Sequence, residues 1–168
     1  MALKGKAWIF GDNISTDLIA PGRLFHLRSN LPELAKHVLE DADPEFASKV
    51  KAGDFVVGGS NFGLGSSREH APTIIKLAGV SAVLAKSFAR IFYRNAINVG
   101  LPVIQCDTSK FEAGDDIETD LAAGTVNNLT KGYTLTFPPL PGIMRTILDD
   151  GGLVAHIKKY GDFTFDEK

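Results

Sequence analysis

Two serines and an arginine follow one another near the middle of the chain, as Ser66, Ser67 and Arg68 in the segment GLGSSREHA at 63–71. Glycines allow the main chain to bend sharply and to come close to a ligand. An apolar run that can open a helix comes next, and the free N–H groups and positive dipole of a helix start favour anions. The pattern predicts a site that binds a carboxylate or stabilises an ionised hydroxyl.

Three common types of site do not fit this segment. It lacks the Gly-Lys-Ser/Thr of a phosphate-binding P-loop. The third glycine of a dinucleotide fingerprint and the last glycine of a nucleophile elbow would both fall on Arg68. A solvated turn capped by a serine remains the alternative on the segment alone.

The longer segment GSNFGLGSSREHAP at 59–72 resembles the serine loop in the swivelling domain of the aconitase superfamily. The free-standing small subunits of its isopropylmalate dehydratase and homoaconitase branches are the most similar. Further segments agree in the same order: GDNISTD at 11–17, PGR at 21–23, AKSFARIF at 85–92, NAINVGLP at 95–102 and ILDDGGL at 147–153. Because the agreement runs along nearly the whole chain, the chain is identified as a member of this superfamily.

The resemblance implies a dehydration followed by a rehydration. A hydroxyl group moves between neighbouring carbons of a 2-hydroxy di- or tricarboxylic acid through an enoic acid intermediate. It implies that Ser66 is the base, that Ser67 assists substrate binding, and that Arg68 holds a carboxylate or stabilises the serine alkoxide. A serine alkoxide needs N–H donors and fixed cations around it in a site that excludes water.

Three further residues are candidates for the same site. Asp17 matches an aspartate that the family uses to orient active-site groups of another domain, although a turn-capping role stays open. Arg23 and Arg28 are both candidates for the second carboxylate of the substrate, since a planar guanidinium binds a carboxylate through two hydrogen bonds. The apolar residues of the same segment, Leu24, Phe25 and Leu27, are expected to enclose an isopropyl group.

Other polar residues are expected to have lesser roles. Glu69 and His70 are predicted to brace the serine loop, and His26 is a candidate to face the substrate. Surface positions are expected for the remaining histidines and for two helix arginines, namely His37, His156, Arg90 and Arg94.

The cysteine count excludes an iron–sulfur cluster bound by this chain alone. Such a cluster needs about three or four thiolates, and Cys106 is the only cysteine, following an apparent core strand. No histidine pair has metal-ligand spacing either. The resemblance therefore implies a [4Fe-4S] cluster on a separate large subunit, with the active site at the contact between the chains in a heterodimer or heterotetramer.

Two classes of function follow from these observations. The first is the small subunit of a hydro-lyase, with isopropylmalate as the leading substrate and homocitrate or homoaconitate, 2,3-dimethylmalate and citraconate-type acids as alternatives. The second is a non-catalytic, anion-binding or regulatory relative. A net charge of −2 with dispersed signs argues against binding to nucleic acid or a membrane. The single cysteine and a start without a signal-peptide pattern lead us to expect the cytoplasm.

The pattern along the chain predicts one α/β domain over residues 1–168, with a mixed sheet flanked by helices and a small C-terminal antiparallel β addition. The resemblance implies the swivelling-domain fold. A mobile loop is expected at 23–31. Core strands are expected at 7–10, 54–58, 82–86 and 103–105, helices at 32–40, 44–50, 71–78, 88–99 and 142–148, and short added strands at 117–120, 125–128 and 133–137.

Overall fold

The computed structural model describes residues 2–66 and 68–161. Within them, seven strands form one mixed sheet. They are β1 (Ala2–Ile9), β2 (Phe55–Val57), β3 (Ala82–Ala85), β4 (Val103–Gln105), β5 (Asp116–Asp120), β6 (Thr125–Asn128) and β7 (Tyr133–Thr136). The strand order across the sheet is β4-β3-β2-β1-β5-β6-β7.

Seven α-helices and one 3-10 helix lie in the same residues. The α-helices are α1 (Thr16–Ile19), α2 (Leu31–Ala35), α3 (Phe46–Lys49), α4 (His70–Leu77), α5 (Arg90–Val99), α6 (Gly142–Asp149) and α7 (Leu153–Tyr160). The 3-10 helix spans Gly22–Leu27. None of these described helices is long and apolar enough to cross a lipid bilayer.

The sheet has a parallel half and an antiparallel half. Strands β1 to β4 pair in parallel, with Ala7 opposite Phe55 and Val57 opposite Leu84. Strand β5 pairs with β1 in the antiparallel sense, and β6 and β7 follow as a meander. The predictions of a mixed sheet and of an antiparallel C-terminal addition are therefore confirmed.

Two hydrophobic cores cover the two faces of the parallel half. Successive strand residues point to opposite faces: Val56 and Val83 pack with the helices, whereas Phe55 and Leu84 pack toward the antiparallel strands and Phe111. Strands buried on both faces read as continuous apolar runs. This explains why these short strands could be recognised from sequence.

The structure corrects four expectations. The segment predicted as a loop at 23–31 contains the 3-10 helix, and the helix expected over 32–40 ends at Ala35. After α6, the chain turns back at Gly152 (φ +127°) and forms α7, which packs on α5 and α6. His156, expected at the surface, is fully buried on α7, and its Nδ1 lies 2.7 Å from Asp150 Oδ2.

The carboxyl ends of the parallel strands β1 to β4 lie at one edge of the sheet, which we call the carboxyl edge. The loop at 10–15 follows β1, the serine loop at 58–66 follows β2, and the residues from Lys86 to Ala89 follow β3. In open α/β sheets this is the edge at which ligands bind. Four of the candidate residues come together here, namely Asp17, Arg28, Ser66 and Arg68.

Candidate active site

Main-chain hydrogen bonds join the loop after β1 to the serine loop after β2. Each of the two loops supplies both donors and acceptors. The bonds run from Gly59 N to Gly11 O (3.1 Å), from Asn13 N to Ser60 O (2.8 Å), from Gly63 N to Ile14 O (2.7 Å) and from Thr16 N to Leu64 O (2.9 Å). The two segments that carry the family resemblance most strongly therefore form one structural unit.

Two glycines allow this close approach. Gly63 has a φ of +85°, and a Cβ there would lie 2.2 Å from Cγ of Phe92 on α5. Gly65 has a φ of +106°, and its Cβ would lie 3.2 Å from Oγ1 of Thr16. An L side chain is disfavoured in this left-handed region. The serine loop thus packs its main chain directly onto α5 and α1.

Ser66 is exposed at the end of this loop, where a hydroxyl of α1 holds it. Thr16 Oγ1 donates a hydrogen bond to the carbonyl oxygen of Ser66 at 3.1 Å and lies 3.4 Å from the Ser66 hydroxyl. Thr16 is only 2% exposed. Thr16 was not among the residues predicted from sequence, and its position beside Asp17 in the GDNISTD segment was the available signal. Ser67 lies outside the described residues.

Arg68 and Asp17 meet beside Ser66. Nη2 of Arg68 lies 2.7 Å from Asp17 Oδ1, and Nη1 donates to the carbonyl oxygen of Ala20 at 3.2 Å. The Arg68 side chain is 20% exposed, while that of Asp17 is 64% exposed. The alternative role expected for Asp17, capping a turn, is filled by Ser15, whose hydroxyl accepts a hydrogen bond from Leu18 N at the start of α1.

The Phe25 ring lies close to the side chains of both Arg28 and Arg68, and it brings the two guanidinium groups into the same neighbourhood. The Phe25 ring is 47% exposed. Its centroid lies 4.3 Å from Cζ of Arg28 and 5.4 Å from Cζ of Arg68, within the range of cation–π attraction. Arg28 Nη1 also donates to the Phe25 carbonyl oxygen at 3.2 Å. Two guanidinium groups therefore converge on one exposed ring beside the serine loop.

Arg23 lies in a different environment from Arg28. Its guanidinium group forms ion pairs with Glu40 and Asp41, which follow α2 in the chain. Leu24 and Leu27 are half-buried and pack against the helix-side core. Six residues were predicted in this segment to contact substrate, His26 among them, and the structure brings two of the six, Phe25 and Arg28, to the serine loop.

The two guanidinium groups make the neighbourhood electropositive. The pKa of His70, half-buried at the start of α4, is lowered by burial and then by the charges of Arg68 and Arg28. His70 is therefore neutral at pH 7, and its ring lies 6.5 Å from that of Phe25. With Asp17 as the acidic partner of Arg68, one positive charge is left to attract a carboxylate.

The thiol of Cys106 is not suited to bind a metal. It is half-buried against the core on the antiparallel side, and burial together with the charge of Asp107 raises its pKa to about 12. Over residues 2–66 and 68–161, no group of three or more His, Cys, Asp or Glu side chains lies close enough together to hold a metal ion. The described residues do not fit an iron–sulfur cluster.

Comparisons with known proteins show which family the chain resembles. Residues 25–108 match the family model of the aconitase C-terminal domain. The 3-isopropylmalate dehydratase small subunit 2 of Archaeoglobus fulgidus is 63% identical over 162 residues, which cover 96% of this chain and 98% of that protein. Small subunit 1 of the same enzyme from Thermotoga maritima is 60% identical, with the same coverage. The crystal structure of a 3-isopropylmalate dehydratase from Methanocaldococcus jannaschii, 46% identical, matches with a TM-score of 0.90 over 96% of each chain.

Proposed function

The chain belongs to the aconitase family, in its branch of 3-isopropylmalate dehydratase small subunits, and from this membership we propose that Ser66 is the base of a two-chain hydro-lyase. The enzyme interconverts 2- and 3-isopropylmalate by removing and re-adding water, a step of leucine biosynthesis. The observation that carries the assignment of the base is the joining of the two loops, which presents the exposed Ser66 beside the Arg68–Asp17 pair.

Ser66 removes the proton from the carbon next to a substrate carboxylate. The serine must act as an alkoxide, which is unfavourable at neutral pH without fixed positive charge and hydrogen-bond donors nearby. Arg68 supplies that charge, and Thr16 Oγ1, which donates its proton to the Ser66 carbonyl oxygen, fixes the position of the serine. In the hydration half-reaction the proton returns from Ser66 Oγ to the substrate carbon.

Arg28 is the better candidate for the second carboxylate of the substrate. It lies with Arg68 at the Phe25 ring, whereas Arg23 would have to give up its ion pairs with Glu40 and Asp41. Ser67, next to Ser66 in the chain, assists in substrate binding. The exposed face of Phe25 contacts the isopropyl group, which favours isopropylmalate over acids with a third carboxylate.

The remaining chemistry belongs to a second chain. Hydroxide is a poor leaving group, and a [4Fe-4S] cluster bound by a large subunit would supply the Lewis acid that this step needs. The exposed carboxylate of Asp17 faces outward beside Arg68 and orients groups of that subunit. Such an enzyme works in the reducing cytoplasm, where a free thiol such as that of Cys106 is also maintained.

The test is to reconstitute the chain with the cluster-bearing large subunit of the same genome and to follow the enoic acid intermediate by its ultraviolet absorbance. We expect Ser66→Ala to lower kcat by about 10²–10⁴-fold or more, because loss of a general base alone has an effect of that size. Ser60→Ala, an exposed serine of the same loop, is the matched control and should retain activity.

Gel filtration shows whether each variant still assembles with the large subunit, so that a loss of activity can be distinguished from a loss of assembly. An assembled Ser66→Ala complex with wild-type kcat rejects Ser66 as the base. A wild-type complex without activity on isopropylmalate or the longer acids favours a non-catalytic, anion-binding role instead.

A further inference from the structure

A second concave surface lies at the carboxyl edge, between α5, α6 and the end of β4. It is a cavity of about 520 Å³, open to solvent, whose floor includes Tyr93, Ile97 and Met144 and whose rim carries Arg90 and Arg94. We call it the α5–α6 groove. Known ligand-binding pockets in proteins have volumes of this order. Like the α5–α6 groove, they combine apolar walls with a small number of polar groups.

The two rim arginines have no partner in the part of the chain that the structure describes. Both are exposed, and neither forms an ion pair or a hydrogen bond with residues 2–66 or 68–161. By contrast, Arg23 and Arg68 are each paired with a carboxylate. Residues four apart on a helix are neighbours on its surface, and like charges there are destabilising. An anion between Arg90 and Arg94 would remove that repulsion.

The α5–α6 groove is continuous with the serine loop. Phe62, in that loop, pairs with Phe88 of the groove wall in a β-bridge, and its ring lies 5.3 Å from that of Phe92. Gly63 packs on the same Phe92 ring. At the surface, the exposed Asn61 of the same loop donates its N–H to Ser87 Oγ at 2.7 Å, next to Phe88 of the groove wall. The exposed part of the serine loop and the groove therefore adjoin.

We propose that the α5–α6 groove is a docking site for the large subunit and receives a segment that offers a carboxylate to Arg90 and Arg94 and apolar side chains to the floor. This inference rests on the proposed function, which requires a second chain over Ser66. Guanidinium groups bind carboxylates through paired, charge-assisted hydrogen bonds. Ile91 and Ile143, exposed by 50% and 40%, extend the apolar area around the groove. Arginine, methionine and aromatic residues are enriched in the buried centre of interfaces.

A double charge reversal tests the proposal in the reconstituted enzyme. Arg90→Glu with Arg94→Glu should raise the Kd for the large subunit by about 100-fold, because loss of close interfacial charge pairs has an effect of this size. The matched control is Lys4→Glu with Lys51→Glu, which makes the same change in net charge at the opposite edge of the sheet. The Kd of the control should stay within about threefold of the wild-type value, as expected for charges outside the contact.

Isothermal titration of each variant with the large subunit gives the Kd, and circular dichroism shows whether the variant is folded. If the double reversal unfolds the chain, Arg90→Gln with Arg94→Gln replaces it, with an expected increase of about tenfold. An unchanged Kd in a folded variant overturns the inference while leaving the proposed function in place. A wild-type chain that does not bind the large subunit overturns both.

Two other occupants are distinguished by measurements on the isolated chain. If the wild-type chain forms dimers in sedimentation experiments and the double variant does not, the groove belongs to a second copy. If isovalerate, a small branched carboxylic acid, binds the isolated wild-type chain and not the double variant, the groove is a small-molecule site. Either result overturns docking of the large subunit in the groove.

Discussion

The serine loop and the segment from Gly22 to Asp41 both contribute residues to the candidate site, but different kinds of contact hold those residues in position. The serine loop is held by main-chain hydrogen bonds to the loop after β1 and by glycines packed on α5 and α1. The contacts that the second segment makes at its charged groups are side-chain contacts: Phe25 contacts two guanidinium groups, while Arg23 binds Glu40 and Asp41.

This difference separates the proposed base from the proposed substrate contacts. The main-chain bonds and the Thr16 contact that hold Ser66 involve no residue of the Gly22–Asp41 segment, so the position of Ser66 should be insensitive to substitutions in that segment. Contacts made by side chains change with each substitution. The proposed substrate contacts can therefore change in one segment without displacing the proposed base in the other.

The largest effect is expected from breaking the packing of the serine loop with Gly63→Ala. The left-handed φ of +85° disfavours an L residue by about 1–2 kcal/mol, and overlap with the Phe92 ring adds about 1–3 kcal/mol. Urea unfolding should report this loss of stability. Gly11→Ala, in the partner loop, is the control because a Cβ at Gly11 meets nothing within 4 Å. Equal stability of the two variants would mean that the loop relaxes freely.

Sequence alone predicted most of the region that main-chain hydrogen bonds hold in position, which comprises the parallel strands and the two joined loops. The strands at 55–57 and 82–85 are continuous apolar runs, which are typical of strands buried on both faces. The glycines and serines of the loop at 58–66 carried a specific family pattern, and so did the loop before Asp17. That pattern assigned Asp17 and Ser66 to one site, and in the structure main-chain hydrogen bonds join the loops that carry them.

The side-chain contacts of the Gly22–Asp41 segment could not be predicted in the same way. Arg23 and Arg28 are equivalent as residue types, and their different roles depend on Glu40, Asp41 and Phe25, whose positions follow only from the tertiary structure. The burial of His156 is a similar case. It depends on the chain turning back after Gly151 and forming α7, which no local pattern had indicated.

An intermediate effect is expected from comparing the two arginines of the Gly22–Asp41 segment. In the reconstituted enzyme, Arg28→Ala should raise the KM for isopropylmalate by about tenfold or more, since a hydrogen bond to a charged group contributes about 1.5–3 kcal/mol. Arg23→Ala should change KM by less than about threefold, as is typical of an exposed ion pair. Steady-state kinetics of both variants make the comparison. A larger effect of Arg23→Ala would reverse the assignment and place the substrate carboxylate nearer α2.

The smallest effect concerns the titration of His70, which reports the positions of both guanidinium groups in the isolated chain. Burial, Arg68 and Arg28 lower its pKa from 6.5 in the folded state, so the unfolded chain binds the proton more readily. The contribution of the neutral His70 to the free energy of unfolding is present above pH 6.5 and is lost as the pH falls toward the lowered pKa. Arg28→Ala removes one of the charges and should raise the pKa of His70 and weaken this acid dependence.

Nuclear magnetic resonance of the His70 ring protons measures that pKa without the large subunit, and Arg23→Ala is again the matched control. Arg23 is not among the groups that lower the pKa of His70, so its removal should leave the titration unchanged. Phe25→Leu sharpens the comparison further: it keeps an apolar side chain but removes the ring that holds Arg28 and Arg68 by cation–π attraction. If the ring positions these groups, the pKa of His70 rises in Phe25→Leu as well. A rise in Arg28→Ala without one in Phe25→Leu would mean that Arg28 is held by its hydrogen bond to the Phe25 carbonyl oxygen, which this substitution preserves.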